Sequence, residues 1–198
     1  MIRPLFFFFS ILFFNSIQSQ EREAKLLLKD NSSVDGLGEI KKNKIYFRLT
    51  LDEKPEIWTE DDAKGLEFTG YHLPEKYVYV IHGKKNEVHL MEVLQEGSIE
   101  LYKDIYYMAE YTPGMSTNMQ LGSAFMPSAR VDSTKNIDYY IKKSNDTKGN
   151  IVTMDFKKIG QKFFSDCEDL MTKINEEEFL EEGEIIDLVK FYNRNCGK

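Results

Sequence analysis

The chain has 198 residues, with 26 Lys+Arg against 33 Asp+Glu, two cysteines and fourteen phenylalanines. Six of those phenylalanines fall within the first fourteen residues; without that segment about 179 residues remain, the size of one ordinary domain and enough to bury a core without disulfides. The formal charge is −7, or −8 once Arg3 leaves with the segment, which argues against a general binder of nucleic acid or anionic lipid, because both reward clustered cations.

Met1-Ile-Arg3 is a short basic start, Leu5 to Phe14 is a compact apolar run, and Asn15 to Ser19 is small and polar. This layout predicts a secretory signal peptide over residues 1–19, cleaved near residue 19. The apolar run stops at Asn15, short of the ~20 residues a membrane-spanning helix needs; a retained anchor is the alternative. Residues 20–198 then form a single exported domain, periplasmic or extracellular, with no stable membrane insertion after cleavage.

Residues 21–43 are polar apart from Lys25-Leu-Leu-Leu-Lys29 and predict one edge strand at most. Lys44 to Leu51 mixes β-branched, aromatic and leucine residues, as a strand does. Pro55 ends it, and Thr59 to Lys64 reads as one capped helical turn before Gly65.

Tyr77–His82, Glu87–Gln95 and Ser98–Tyr107 read as three strands joined by hairpin turns at Gly83–Asn86 and Glu96-Gly97. Side chains alternate faces along a strand, so each turn fixes which residues share a side. Pairing His82 with Glu87, and Gln95 with Ser98, gives one face carrying Tyr77, Tyr79, Ile81, Val88, Leu90, Leu94, Ile99, Leu101 and Ile105. The other face carries His82, Glu87, His89, Gln95, Ser98, Glu100 and Asp104, interspersed with Val78, Val80, Met91, Val93 and Tyr102.

Thr112 to Asn136 breaks the pattern with two prolines, two glycines and three methionines. Long irregular segments concentrate function. Met115, Met119 and Met126 therefore pack the loop back onto the domain or serve as a partner-binding loop; a thioether site for Cu(I) is the sharper alternative, unsupported by any neighbouring His or Cys. A further strand, Ile137–Lys143, and a polar turn over Ser144–Asn150 complete a β-rich part spanning 40–152.

Residues 153–196 are helical in pattern. Thr153 caps a helix from Met154 to Phe164, Ser165 and Glu168 form a capping box that opens a second through Glu177, and a third runs from Glu184 to Asn195. The short connection Glu178–Gly183 makes the last two antiparallel neighbours, which brings Cys167 at the start of one beside Cys196 at the end of the other. In an oxidising compartment this pair predicts a disulfide, worth roughly 3.5 kcal/mol by loop closure. The expected fold class is α+β, a twisted antiparallel meander followed by three C-terminal helices.

For chemistry, His82 and His89 fall on the polar face of adjacent strands with Glu87 beside them. Two imidazoles and a carboxylate are a possible metal set; the plainer alternative is that all three simply face solvent. His72 stands alone. No G-x-S-x-G, no nucleophile with a partnered histidine and no glycine-rich phosphate loop is present, so no cofactor and no catalytic residue is predicted.

Glu92-Val-Leu-Gln-Glu-Gly-Ser-Ile-Glu-Leu-Tyr102, Phe164-Ser-Asp-Cys-Glu-Asp-Leu170, and Leu188-Val-Lys-Phe-Tyr-Asn193 followed by Cys196 resemble the strand pair and C-terminal helices of an uncharacterised exported domain family of Gram-negative bacteria. The resemblance covers roughly residues 44–196, interrupted by the 112–136 loop. Members of that family occur alone or ahead of outer-membrane β-barrels, so the resemblance implies an address and a fold, without a reaction. The expectation is a non-enzymatic cell-envelope or periplasmic module that binds a protein or small ligand. One alternative is a metal- or small-ligand-binding protein using the His82/Glu87/His89 face; a secreted hydrolase is the second.

Overall fold

In the computed structural model, residues 21–70, 74–112, 130–152, 155–176 and 184–197 are described. They form ten strands and three helices in chain order: β1 (Arg22–Leu28), β2 (Ser33–Lys41), β3 (Lys44–Arg48), β4 (Glu56–Trp58), β5 (Ala63–Phe68), β6 (Glu75–His82), β7 (Glu87–Gln95), β8 (Ile99–Thr112), β9 (Arg130–Lys143), β10 (Lys148–Ile151), α1 (Phe156–Phe163), α2 (Glu168–Asn175) and α3 (Ile185–Asn195). This is the α+β arrangement that the sequence implies. The sheet order is β10-β9-β8-β7-β6-β5-β1-β2-β3-β4.

The central meander carries the predicted alternation. His82 pairs with Glu87, and Val80 pairs with His89. Between β7 and β8 the register differs from Gln95 opposite Ser98: Glu92 pairs with Lys103 and Gln95 with Leu101, with an irregularity between Val93 and Gln95. At Glu92 the offset is two residues, an even number, so each side chain keeps its expected face.

One face of the meander packs outward against the helices. Ile99, Leu101 and Ile141 join Phe164, Leu170, Ile185, Leu188 and Val189 in one buried cluster. The opposite face turns inward, because β10 pairs not only with β9 but also, in parallel, with β6 through Lys148–Ile81 and Gly149–His82. Strands β6 to β10 thereby close into a ring. Val80, Met91, Tyr102 and Tyr140 fill its middle. A Cβ on Gly149 would stand 3.2 Å from Val80 Cγ1 and 3.4 Å from Tyr140 Cβ, so the closing strand approaches the ring interior where a side chain would be crowded.

The N-terminal strands differ most from expectation. Residues 21–43 hold two strands, not one edge strand, and β1 lies between β2 and β5. Ala24 and Leu26 are fully buried with Ile45, Phe47, Leu66 and Phe68, while charged residues alternate with them. In β2, Gly38 hides the pattern, since a Cβ there would lie 2.9 Å from Ala24 Cβ. Thr59 opens the single turn expected there, with Asp62 and Ala63 N–H donating to its carbonyl, each at 3.0 Å; the difference is that the chain enters β5 already at Ala63, before Gly65. Strand also replaces the expected irregularity at both ends of 112–136, because β8 reaches Thr112 and β9 begins at Arg130. The segment between them lies outside the described residues.

The β2–β3 turn folds back onto β7. Asn43 Nδ2 donates to Val88 O at 2.8 Å and its Oδ1 accepts from Leu90 N–H at 2.5 Å, imitating a strand beside the half of β7 that β8 leaves unpaired. Asn193 of α3 does the same for Ile99, accepting from its N–H at 3.0 Å and donating to its carbonyl at 2.7 Å.

Cys167 and Cys196 form the predicted disulfide, with Cα atoms 5.7 Å apart. The predicted capping box is absent: Cys167 is the N-cap of α2 and makes no side-chain cap bond, because the chain there is committed to the bridge and to Asp166, which accepts from Tyr192 Oη at 2.8 Å. α1 is capped by Asp155, whose carboxylate accepts from Lys158 N–H at 3.1 Å; Thr153 lies outside the described residues.

Candidate functional site

The interior of the ring is layered along its strands. At one end Glu100 pairs with Lys142 at 2.6 Å, the middle is apolar, and the other end is polar. Successive inward residues of β6 end at His82, those of β7 pass through His89 to Glu87, and those of β8 reach Asp104, opposite Asp138 of β9. The two-residue periodicity of four strands thus delivers two imidazoles and several carboxylates to one mouth.

His82 is 7% exposed, wedged between His89, at 4.4 Å between ring centroids, and Tyr140, at 4.8 Å. Its Nε2 is buried without a hydrogen-bond partner among the described residues. A buried, unpaired polar atom costs stability and calls for an explanation. Burial, followed by the neighbouring His89, holds the His82 imidazole below its usual pKa, so it is neutral and able to donate a lone pair. Burial, then Asp138 and Asp104, pushes the Tyr140 phenol up to about 12.

His89 is oriented by Asp104, with Nδ1 2.7 Å from Oδ2. A carboxylate only accepts, so this contact protonates Nδ1 and leaves Nε2 as the coordinating atom. Asp104 is itself 7% exposed. One donor atom each from His82, Glu87 and His89 lies within 4.8 Å of the others. A tetrahedral zinc site with bonds near 2.1 Å sets donors about 3.4 Å apart. Glu87, the exposed member of the set, has the freedom to close that difference while Asp104 holds His89.

The structure therefore brings together the three residues that the sequence grouped and adds Asp104, which the alternation placed on the same face without giving it a role. Met115, Met119, Met126 and His72 lie outside the described residues, as does the 1–19 segment. Cys167 and Cys196 are a structural pair on the outside of the ring. Among the described residues no helix is long and apolar enough to cross a membrane. Compared with protein-family models, with curated proteins and with solved structures, the chain matches none.

Proposed function

We propose that this protein is an exported, non-enzymatic binding module whose ligand is a divalent transition-metal ion held by His82, Glu87 and His89. The observation that carries this reading is the buried His82 imidazole, its Nε2 without a hydrogen-bond partner among the described residues, with one of its ring nitrogens within 4.8 Å of a carboxylate oxygen and of a second imidazole that Asp104 orients. Two nitrogens and one oxygen suit zinc, with a fourth position left for water or a ligand atom. Export rests on the layout of residues 1–19, and a disulfide suits an oxidising compartment.

Zinc titration of the mature protein by calorimetry tests the site. The expected result is one ion per chain, with binding abolished in His82→Ala and His89→Ala while circular dichroism stays native. Binding that is unchanged in both variants, or absent from the native protein, rejects the site.

A second reading, a protein-binding surface, is favoured by the β8–β9 ribbon. Beyond Lys103 it has no partner strand on the β7 side among the described residues, and it exposes Tyr107 and Met108.

A further inference from the structure

His82 also lines a second feature, a cavity of about 490 Å³ between α1, β10 and the β6–β7 turn. Lys84, Lys148, Lys158 and Lys162 converge on it, and its lining contains no carboxylate. The contrast is specific to this place. Four other cavities, of 340 to 470 Å³, each include at least one glutamate, as a chain with net charge −7 would suggest.

Among the described residues, none of these four lysines forms an ion pair with a carboxylate; Lys162 Nζ donates to the neutral Asn150 Oδ1 at 2.5 Å. Ile159 and Phe163 of α1 are buried against the same space, and Gly149 leaves the wall open to Tyr140. Four lysines around a half-open, partly apolar hollow, all of them solvent-exposed, repel one another, and an anion placed among them relieves that repulsion, most strongly at low salt. The volume lies within the range of small-molecule sites.

We propose that this cavity binds a small organic molecule carrying two or more negative charges, its anionic groups held by Lys84, Lys148, Lys158 and Lys162 and its body resting on Ile159 and Phe163. The site is distinct from the metal cluster and does not depend on it, although His82 is common to both. A compact polyanion is favoured over a long polymer because the four lysines gather around one half-open hollow instead of forming a track, and the net negative charge of the chain repels an extended polyanion.

Calorimetry on metal-free mature protein, with inorganic pyrophosphate and with succinate as probes and acetate as the monovalent control, tests this. The expected result is binding of at least one dianionic probe at one site per chain, weakening as salt rises. Lys158→Ala/Lys162→Ala should weaken that binding by about tenfold or more, as expected for loss of charge-assisted hydrogen bonds. Lys84→Glu, on an exposed turn residue, should weaken it similarly and serves if the helix variant misfolds. Preference for pyrophosphate or for succinate identifies the anionic group. Neither probe binding more tightly than acetate, or equal binding by native protein and Lys84→Glu, overturns the proposal. His89→Ala separates the two sites, because it should lose zinc and keep the dianion.

Discussion

At the scale of single residues, three side chains do work that their sequence neighbourhoods conceal. Asn43 and Asn193 each supply one donor and one acceptor to a strand segment that lacks a backbone partner there, and nothing in their local sequence announces it. Asp104 fixes the His89 tautomer. Its replacement by Asn keeps the shape and removes the charge, so Asp104→Asn should weaken zinc binding by about tenfold, the lower end for an outer-shell partner, with the urea midpoint little changed. Calorimetry beside urea unfolding checks this; unaltered zinc affinity would mean that Asp104 does not set the donor atom. His82, Glu87 and His89 were legible because one tight turn decides their register. Asp104 was not assigned a role, because its distance to His89 depends on the irregularity between Val93 and Gln95, which period-two reasoning does not foresee.

At the scale of elements, the strands that alternate cleanly, β3 and β6 to β8, were readable, as were all three helices. β1 and β2 were not, because their buried positions are filled partly by Ala24 and Gly38, residues that carry little hydrophobic signal. β10 was missed as a strand because it has four residues, Lys-Gly-Asn-Ile, and its place depends on β6, far away in the chain. Its fit is tight at Gly149. Gly149→Val would press two methyl groups toward Val80 and Tyr140, and overpacking of this kind costs about 1–3 kcal/mol. The expected outcome is a lower urea midpoint for Gly149→Val at unchanged slope; a midpoint equal to that of the native protein would show that the ring wall yields freely there.

At the scale of the molecule, the buried phenols set an upper limit to the pH range of the fold. Burial is the first cause that pushes Tyr77, Tyr79, Tyr140 and Tyr192 up to about 12, and it raises Tyr102 further in the same direction. A phenol is neutral when protonated, and in the unfolded chain it ionises near pH 10. Above that value the unfolded state releases protons that the folded state keeps. The stability contributed by these groups is therefore complete below about pH 10 and declines as pH rises toward 12. The urea midpoint should fall between about pH 10 and pH 11.5 while tyrosinate absorbance lags behind that of free tyrosine. Tyrosinate absorbance that reached the full amplitude of all eleven tyrosines near pH 10 with the fold intact would contradict the burial of these five rings.

The ring that shapes the site also implies an order of events. β6–β7, β7–β8 and β9–β10 join strands linked by short turns, whereas the β10–β6 seam joins Lys148 and Gly149 to Ile81 and His82 across the whole of β7, β8 and β9. Contacts between distant segments carry the largest loop-closure cost and form late. During folding, His82 acquires its buried wall only when the seam shuts, so the three hairpins come first and the binding chamber last. Strand β10 is held by two residue pairs on each side, the fewest of any strand in the ring, which makes it the door to the ring's own interior.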